Sequence, residues 1–439
     1  MEQGAQCVTV VGAGLAGCEA AYFLAKQGFK VRLVESKPAR FTPAHTSEGF
    51  AELVCSNSLK SNDVFGNACG LLKEEMRRLG SLVIEAADAT RVPAGGALAV
   101  DREAFSAYVT ARIRGEGNIE VVCAEAERLP AAPAIVATGP LTLDALAADI
   151  AAKCGGALYF YDAAAPIVSA ESVDFTKTFT ADRYGRGEGD YVNCPMNREE
   201  YEAFVDALVH AERANDHGID KRELFEGCMP VEAMAARGKD TLRFGMLKPV
   251  GLYDASGKRP YAVLQLRKEN CAGTAYNLVG FQTNLKFPEQ KRVFSMIPAL
   301  HAAEFLRYGV MHRNTYLNAP ALLSADYSLR SDPLLFFAGQ ITGVEGYVES
   351  AGSGLCAAVN LARKLRGEPP IAWDAETVLG ALALHVSTPT DNFQPMNANY
   401  GILRPLAEHI RDKALKKCKL AERSLARIGE VAAGLREQI

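Results

Sequence analysis

The sequence has no apolar run approaching the roughly 18 residues a membrane-spanning helix requires. Its first residues, Met1 to Ala5, lack the basic flank and the long apolar stretch of a secretory signal. A soluble, cytoplasmic protein is therefore expected. None of its 11 cysteines forms a Cys-x-x-Cys pair, which argues against a zinc ribbon or a dithiol redox site. Reduced thiols, most of them small buried hydrophobes, are the better reading. No His-Glu-x-x-His motif or cluster of His and Cys ligands occurs, so no metal site is expected. Internal repeats and low-complexity tracts are absent too.

What the chain does have is globular composition. Hydrophobic residues at 49% against 23% charged residues exclude an intrinsically disordered chain. At 439 residues it exceeds one ordinary core, so two or more domains are expected. The net charge of −4 is unevenly spread. Arg237 to Arg313 holds 13 Lys/Arg against 5 Asp/Glu, and Arg404 to Arg427 holds 8 against 3. Two basic segments in an acidic chain suit a polyanion-binding face, although solvated surfaces would look the same.

The N-terminal residues read as a strand, Cys7 to Val11, then the turn Gly12-Ala13-Gly14-Leu15-Ala16-Gly17. A helical pattern through Gln27 and a second strand, Lys30 to Val34, ending at Glu35, complete the unit. In this context Gly12 permits the tight turn, and Gly14 lets a pyrophosphate approach the backbone. Gly17 lets helix and strand pack closely, and Glu35 accepts hydrogen bonds from a ribose. A second apolar segment, Ala134 to Gly139, ends in Thr-Gly. A third runs from Leu334 to Ala338 into a glycine-rich turn and a helix from about Tyr347 to Leu365. Two further strand-to-glycine elements suit FAD better than a simple nicotinamide fold.

Gly155 to about Leu323 has a different texture and reads as an inserted domain. It carries strand-like runs, Tyr261 to Leu266 and Tyr276 to Phe281, and a helix near Arg198 to Asn215. The expected boundaries are thus residues 1–154, 155–323 and 324–439, the last ending in a basic helical pattern, Arg404 to Leu435.

Two cysteines stand in company suited to chemistry. Cys55 is followed by Ser56, Asn57, Ser58 and Lys60, whose charge and amide donors would favour thiolate. Cys228 sits in Gly227-Cys228-Met229-Pro230-Val231-Glu232. A buried, inert thiol is the other reading of each. His312, in a polar cluster with Arg313 and Asn314, is either a ligand-facing ring or a surface histidine.

Longer blocks carry a resemblance. They are GAGLAGCEAA (Gly12 to Ala21), TPAHTSEGFAELVCSNSLKS (Thr42 to Ser61), EGCMPVEAMAARGKDTLRFG (Glu226 to Gly245) and PYAVLQLRKEN (Pro260 to Asn270). YNLVGFQTNLKFPEQKRVF (Tyr276 to Phe294), MHRNTYLNAP (Met311 to Pro320) and FAGQITGVEGYVESAGSG (Phe337 to Gly354) complete the set. Together they resemble the folate- and FAD-dependent tRNA (uracil-5-)-methyltransferases, which make ribothymidine in the T-loop of tRNA. The resemblance spans Val8 to about Leu403. It implies an α/β, Rossmann-like FAD domain of the glutathione-reductase type, interrupted by an inserted α+β domain. By resemblance Cys228 is the nucleophile that adds to uracil C6, and Cys55 is its partner that removes the C5 proton. The one-carbon donor would be 5,10-methylenetetrahydrofolate, with FAD reduced by NADH or NADPH. Gly12, Ala13, Gly14, Leu15, Ala16, Gly17, Glu35, Gly139, Gly339, Gln340 and Tyr347 would contact FAD. His312 would stack on the folate pterin, and the basic segments would meet tRNA phosphates. Ser36, Lys37, Met246 and Cys271 depart from the family pattern without removing a chemical group. The rival readings are a flavoprotein subunit modifying wobble uridine, a generic FAD oxidoreductase, and a non-catalytic tRNA-binding flavoprotein. The oligomeric state is left open.

Overall fold

The run CVTVV at Cys7–Val11 is β-branched, and Val8 and Val10 are fully buried, as befits a strand covered on both faces. In the computed structural model, which describes residues 7–155, 157–163, 165–185, 189–214, 229–254, 256–390 and 393–436, this strand is central to a six-stranded sheet. Parallel neighbours Lys30–Glu35 and Ala134–Val136 flank it. Ile119–Cys123 and Asp332–Phe337 extend the sheet in parallel on either side. Short Ser328–Leu329 closes one edge in the antiparallel sense. Because the chain leaves the central strand in one direction and returns on its other side, a crevice opens at the strand's carboxyl end. That is where an open α/β sheet takes its ligand.

Two helices cover this crevice from below. Helix Leu15–Lys26 packs along helix Tyr347–Leu365, whose residues from Val348 to Ala362 are buried. Their contact is backbone-close: a Cβ at Gly354 would lie 2.2 Å from the carbonyl oxygen of Ala16. Only glycine permits that approach.

A second six-stranded sheet is built from the middle of the chain. Its order is Phe179–Thr180, Val192–Met196, Ala262–Lys268, Ala275–Leu278, Ile167–Ser169 and Phe305–Arg307, antiparallel throughout. Helices Arg198–Val209 and Phe287–Phe294 pack on it, and Phe204, Phe281 and Phe294 form a ring cluster in a core separate from the first. A two-stranded ribbon, Ala157–Ala163 with Met311–Leu317, joins the segments leading in and out. Three short strands, Ser58–Ser61, Arg91–Val92 and Ala97–Val100, form a small sheet beside Cys55.

The expected elements lie within a few residues of those observed, with two corrections. The helix predicted near Arg198 to Asn215 stops at Val209. The basic C-terminal helix starts at Lys413, not Arg404. Pro405 disfavours helical backbone at Arg404, and the Asp412 carboxylate receives the N–H groups of Ala414 and Leu415, starting the helix there. Among the described residues no helix is long and apolar enough to cross a membrane.

Buried carboxylates tie the helices together. Glu19 accepts from the N–H groups of Leu82 and Val83 and from the Ser81 hydroxyl, all at the start of helix Leu82–Ala89. Glu75 does the same for Val378 and Leu379 at 2.7 and 2.9 Å, and also accepts from Ser424 of the C-terminal helix. Each supplies acceptors to helix N-termini that would otherwise be orphaned. Burial nevertheless pushes Glu75 from its ordinary 4.5 up to about 7. A carboxyl raised in the folded state contributes most below its unfolded pKa and loses that contribution as pH rises through the folded value. Glu75→Ala is therefore expected to destabilise the protein more at pH 5.5 than at pH 8, measured by urea unfolding at each pH. A cost that grows with pH would contradict this account.

Candidate active site

The glycine turn is shaped by steric exclusion. Gly12 has φ +97°, and a Cβ there would sit 2.6 Å from the Ala137 carbonyl oxygen. At Gly17 a Cβ would sit 1.8 Å from the carbonyl oxygen of Gly12, so the helix folds directly back on its own turn. By contrast, a Cβ at Gly14 or Gly139 would meet nothing within 4 Å. At those two positions the backbone faces open space, which is what a closely approaching ligand needs.

That space is a groove open to solvent. Gly12, Ala13, Gly14, Leu15, Ala16, Glu35, Gly139, Gly339, Gln340 and Tyr347 all line it. Gly17 does not; it stands behind the turn. Gly14 caps helix Leu15–Lys26 without a side chain, so the helix's first-turn N–H groups are presented toward the groove, ready for an anion. Glu35, 7% exposed, accepts from the Ala13 N–H at 2.7 Å and the Lys37 N–H at 3.0 Å. Its carboxylate is thus locked at the rim, and its remaining lone pairs can receive ribose hydroxyls. These residues fit a dinucleotide. Lys37, where a departure from the family pattern was noted, is buried. Its ammonium donates to the carbonyls of Ser47 and Gly49 and pairs with Glu52 at 3.8 Å. It holds the wall of the groove that it lines.

Cys55, half-buried, follows Val54, which lines the groove, and is tethered to the groove-lining Tyr347. Tyr347, the first residue of its helix, accepts from the N–H groups of Cys55 at 2.6 Å and Ser56 at 3.1 Å. Burial, reinforced by the nearby Cys55 charge, drives the Tyr347 pKa far up and keeps the hydroxyl protonated. Arg267, on the second sheet, donates to Asn57 Oδ1 at 2.8 Å and Ser56 Oγ at 2.7 Å. Asn57 donates in turn to the carbonyls of Val100 and Lys268. Arg102 binds the Leu53 carbonyl at 2.6 Å and pairs with Glu269 at 2.6 Å. Ala51 and Lys60, on either side of Cys55, both hold positive φ (49° and 62°). Such backbone persists only where surrounding contacts over-determine it, and here they do.

The expectation that Lys60 and the Asn57 amide activate Cys55 needs correction. Lys60 pairs with the buried Glu349 at 3.2 Å, and the Asn57 amide is spent on carbonyls. Arg102 and Arg307 are positive charges close enough to interact with Cys55. Burial opposes the Arg102 charge, but Glu269 raises its pKa above the usual value. Burial lowers Arg307, and Arg102 lowers it further. Thr42 and His45 also line the groove, joined Oγ1 to Nδ1 at 2.6 Å. Burial and then the Lys37 charge lower the His45 pKa, favouring a neutral ring.

Of the other expected residues, Cys228 and the side chain of His312 lie outside the described part of the structure. The His312 backbone sits in strand Met311–Leu317, and Thr315 of that strand donates its N–H to the Pro140 carbonyl beside the groove. Arg267, Glu269, Thr42 and His45 fall inside the blocks quoted above, but nothing local marks them. Arg102 and Arg307 carry no sequence signal. Among the described residues no three His, Cys, Asp or Glu side chains are grouped to hold a metal ion.

Comparison with known proteins places this geometry. The family model described as "Glucose inhibited division protein A" matches residues 7–369. A methylenetetrahydrofolate–tRNA-(uracil-5-)-methyltransferase of Geobacter sulfurreducens is 59% identical over 425 residues, covering 96% of this chain and 98% of the relative. One from Acetivibrio thermocellus is 58% identical over 422 residues, covering 95% and 97%. Among solved structures, Aquifex aeolicus GidA in its form II crystal superposes with TM-score 0.72 at 16% identity, covering 98% of this chain and 74% of that one. At that identity it attests to the fold.

Arg267→Met would leave Ser56 and Asn57 without their charged donor. We expect a loss of about 2–4 kcal/mol in stability by urea unfolding, with Arg267→Lys recovering part of it. Unchanged stability in the Met variant would mean that Arg267 does not anchor this loop.

Proposed function

The chain belongs to the methylenetetrahydrofolate–tRNA-(uracil-5-)-methyltransferase family, and from that premise we propose how it works. It is a folate-dependent tRNA uracil-5-methyltransferase. The observation that carries this reading is 59% identity running through 98% of a relative's length. We read the target as the T-loop uridine, converted to 5-methyluridine, with NADH or NADPH as the source of electrons.

The groove suits FAD, its turn and helix N-terminus meeting the pyrophosphate and Glu35 the adenosine ribose. Flavin, when bound, supplies the electrons that reduce the transferred one-carbon unit. The rest falls to side chains of this chain. Uracil C5 is a weak nucleophile until a thiolate adds to C6 and makes an enolate. Cys228 takes that role in this reading. Cys55 removes the C5 proton, with the Arg102 and Arg307 charges close enough to interact with it. The Tyr347 hydroxyl, Arg267 and Arg102 hold the Cys55 segment still while this happens. The target uridine must leave its stack to reach the groove, as bases modified by enzymes do.

The direct test is transfer of labelled methylene from methylenetetrahydrofolate to unmodified tRNA, with NADPH present and labelled S-adenosylmethionine as the control. Label in T-loop 5-methyluridine only from folate is expected; no transfer from a protein that binds FAD would overturn the reading. For the thiols, Cys228→Ala should form no covalent adduct with T-arm RNA containing 5-fluorouracil while still binding FAD. An undiminished adduct in that variant would move the nucleophile elsewhere.

A further inference from the structure

On the second sheet, one loop cluster exposes aromatic rings among basic side chains. Phe244 is 82% exposed, the most exposed large hydrophobic among the described residues, whereas Phe204, Phe281 and Phe294 nearby in the same unit are buried. Tyr184 and Tyr253 are each 59% exposed. The cluster is one structure. The Tyr184 N–H donates to the Gly251 carbonyl, and its ring lies so close over Gly251 that a Cβ there would be 2.8 Å away. Arg183 donates to the carbonyls of Lys248 and Val250, pinning the loop that follows Phe244. Leu242 and Leu247, either side of Phe244, are buried and fix where the ring emerges.

Two features separate this patch from ordinary surface apolar residues. Tyr184 holds φ +60°, a left-handed backbone that costs energy for a bulky residue and is retained where its ring must be presented. The segment is also cationic: Arg237 to Arg259 has six Lys/Arg and two Asp. Asp240 is paired with Arg243, and Asp254 is turned into its own loop by Ser256 and Lys258. None of Lys239, Lys248 and Arg259 forms an ion pair with a described carboxylate. Exposed rings set among unneutralised cations are the means by which proteins hold unpaired nucleotides, bases stacking on rings and phosphates meeting the charges.

We propose that Phe244, with Tyr253 on the loop that follows it and Tyr184 packed on that loop, is a stacking platform for unpaired bases of the RNA substrate. The inference rests on the tRNA-methyltransferase reading and adds to it a named surface. Helix Thr241–Phe244 packs against helix Val231–Ala235, which begins three residues after Cys228. The platform therefore stands close along the chain to the residue read as the nucleophile, where a loop opened to release its uridine would need its displaced neighbours held.

The test uses full-length FAD-loaded enzyme and unmodified tRNA. Phe244→Ala should raise the KM for tRNA about 5- to 150-fold, the span corresponding to loss of one stacked base. The KM for methylenetetrahydrofolate and the rate of flavin reduction by NADPH should stay as in the wild type, and Phe244→Trp should retain tight tRNA binding. T-arm RNA carrying 2-aminopurine in the loop should be quenched on binding wild type and not Phe244→Ala. Unchanged tRNA KM and quenching in both Phe244→Ala and Tyr184→Ala would overturn the platform. So would unchanged tRNA binding with loss of a self-associated species in sedimentation, which would give the face to a second copy of the chain. A wild type that transfers no label to tRNA at all would instead sink the functional reading, a distinct outcome.

Discussion

Two backbone N–H groups, those of Cys55 and Ser56, converge on one phenolic oxygen, and the candidate site depends on that convergence. The oxygen belongs to the residue that starts the longest helix on the first sheet, so the thiol is indexed to the same helix that lies under the groove. Arg267 and Arg102 then brace the segment from the far side, one through side chains and one through a carbonyl. Each of the three tethers uses a buried or nearly buried donor or acceptor, where hydrogen bonds are electrostatically strong and costly to leave unmade. Strained backbone at Ala51 and Lys60 is the local cost of holding the thiol at that point.

The same economy governs the rest of the scaffold. Glu19 and Glu75 close helix starts with buried carboxylates, and Lys73, wholly buried, satisfies the carbonyls of Leu59 and Ser61 on the small sheet behind Cys55. Ionisable groups are thus spent on joining elements rather than on the solvent face. Burial lowers the Lys73 pKa, so even that ammonium is held by its carbonyl partners against the cost of desolvation.

How much of this was legible follows from distance along the chain. The strand, glycine turn and helix from Cys7 to Lys26 are local, so β-branching and glycine spacing were enough to read them, while Gly339, Gln340 and Tyr347 came only from the family resemblance. The helix from Tyr347 to Leu365 was equally legible. The tethers were not, because Arg267 meets Asn57 across 210 positions and neither residue has a neighbour that betrays the other. Lys60 misled for a related reason: adjacency to Cys55 suggested help for the thiolate, whereas the fold hands its charge to Glu349, 289 positions away. The nine residues before Lys413 were misread as helix because amphipathic periodicity outweighed a single proline.

Cys55 and Tyr347 are separated by 292 positions, and their contact completes the loop that holds the thiol. A ribosome delivers the chain from its N-terminus at a few residues per second, so most of the protein is already outside before this contact becomes available. Until then the glycine turn and its first helix can form, and Arg102 and Arg267 are already synthesised, yet the cysteine segment still lacks the tyrosine that anchors its backbone. A nascent chain that already carries the Cys7–Glu35 unit but ends before Tyr347 therefore has its thiol without the tyrosine tether. Synthesis itself orders the assembly, scaffold first and reactivity last.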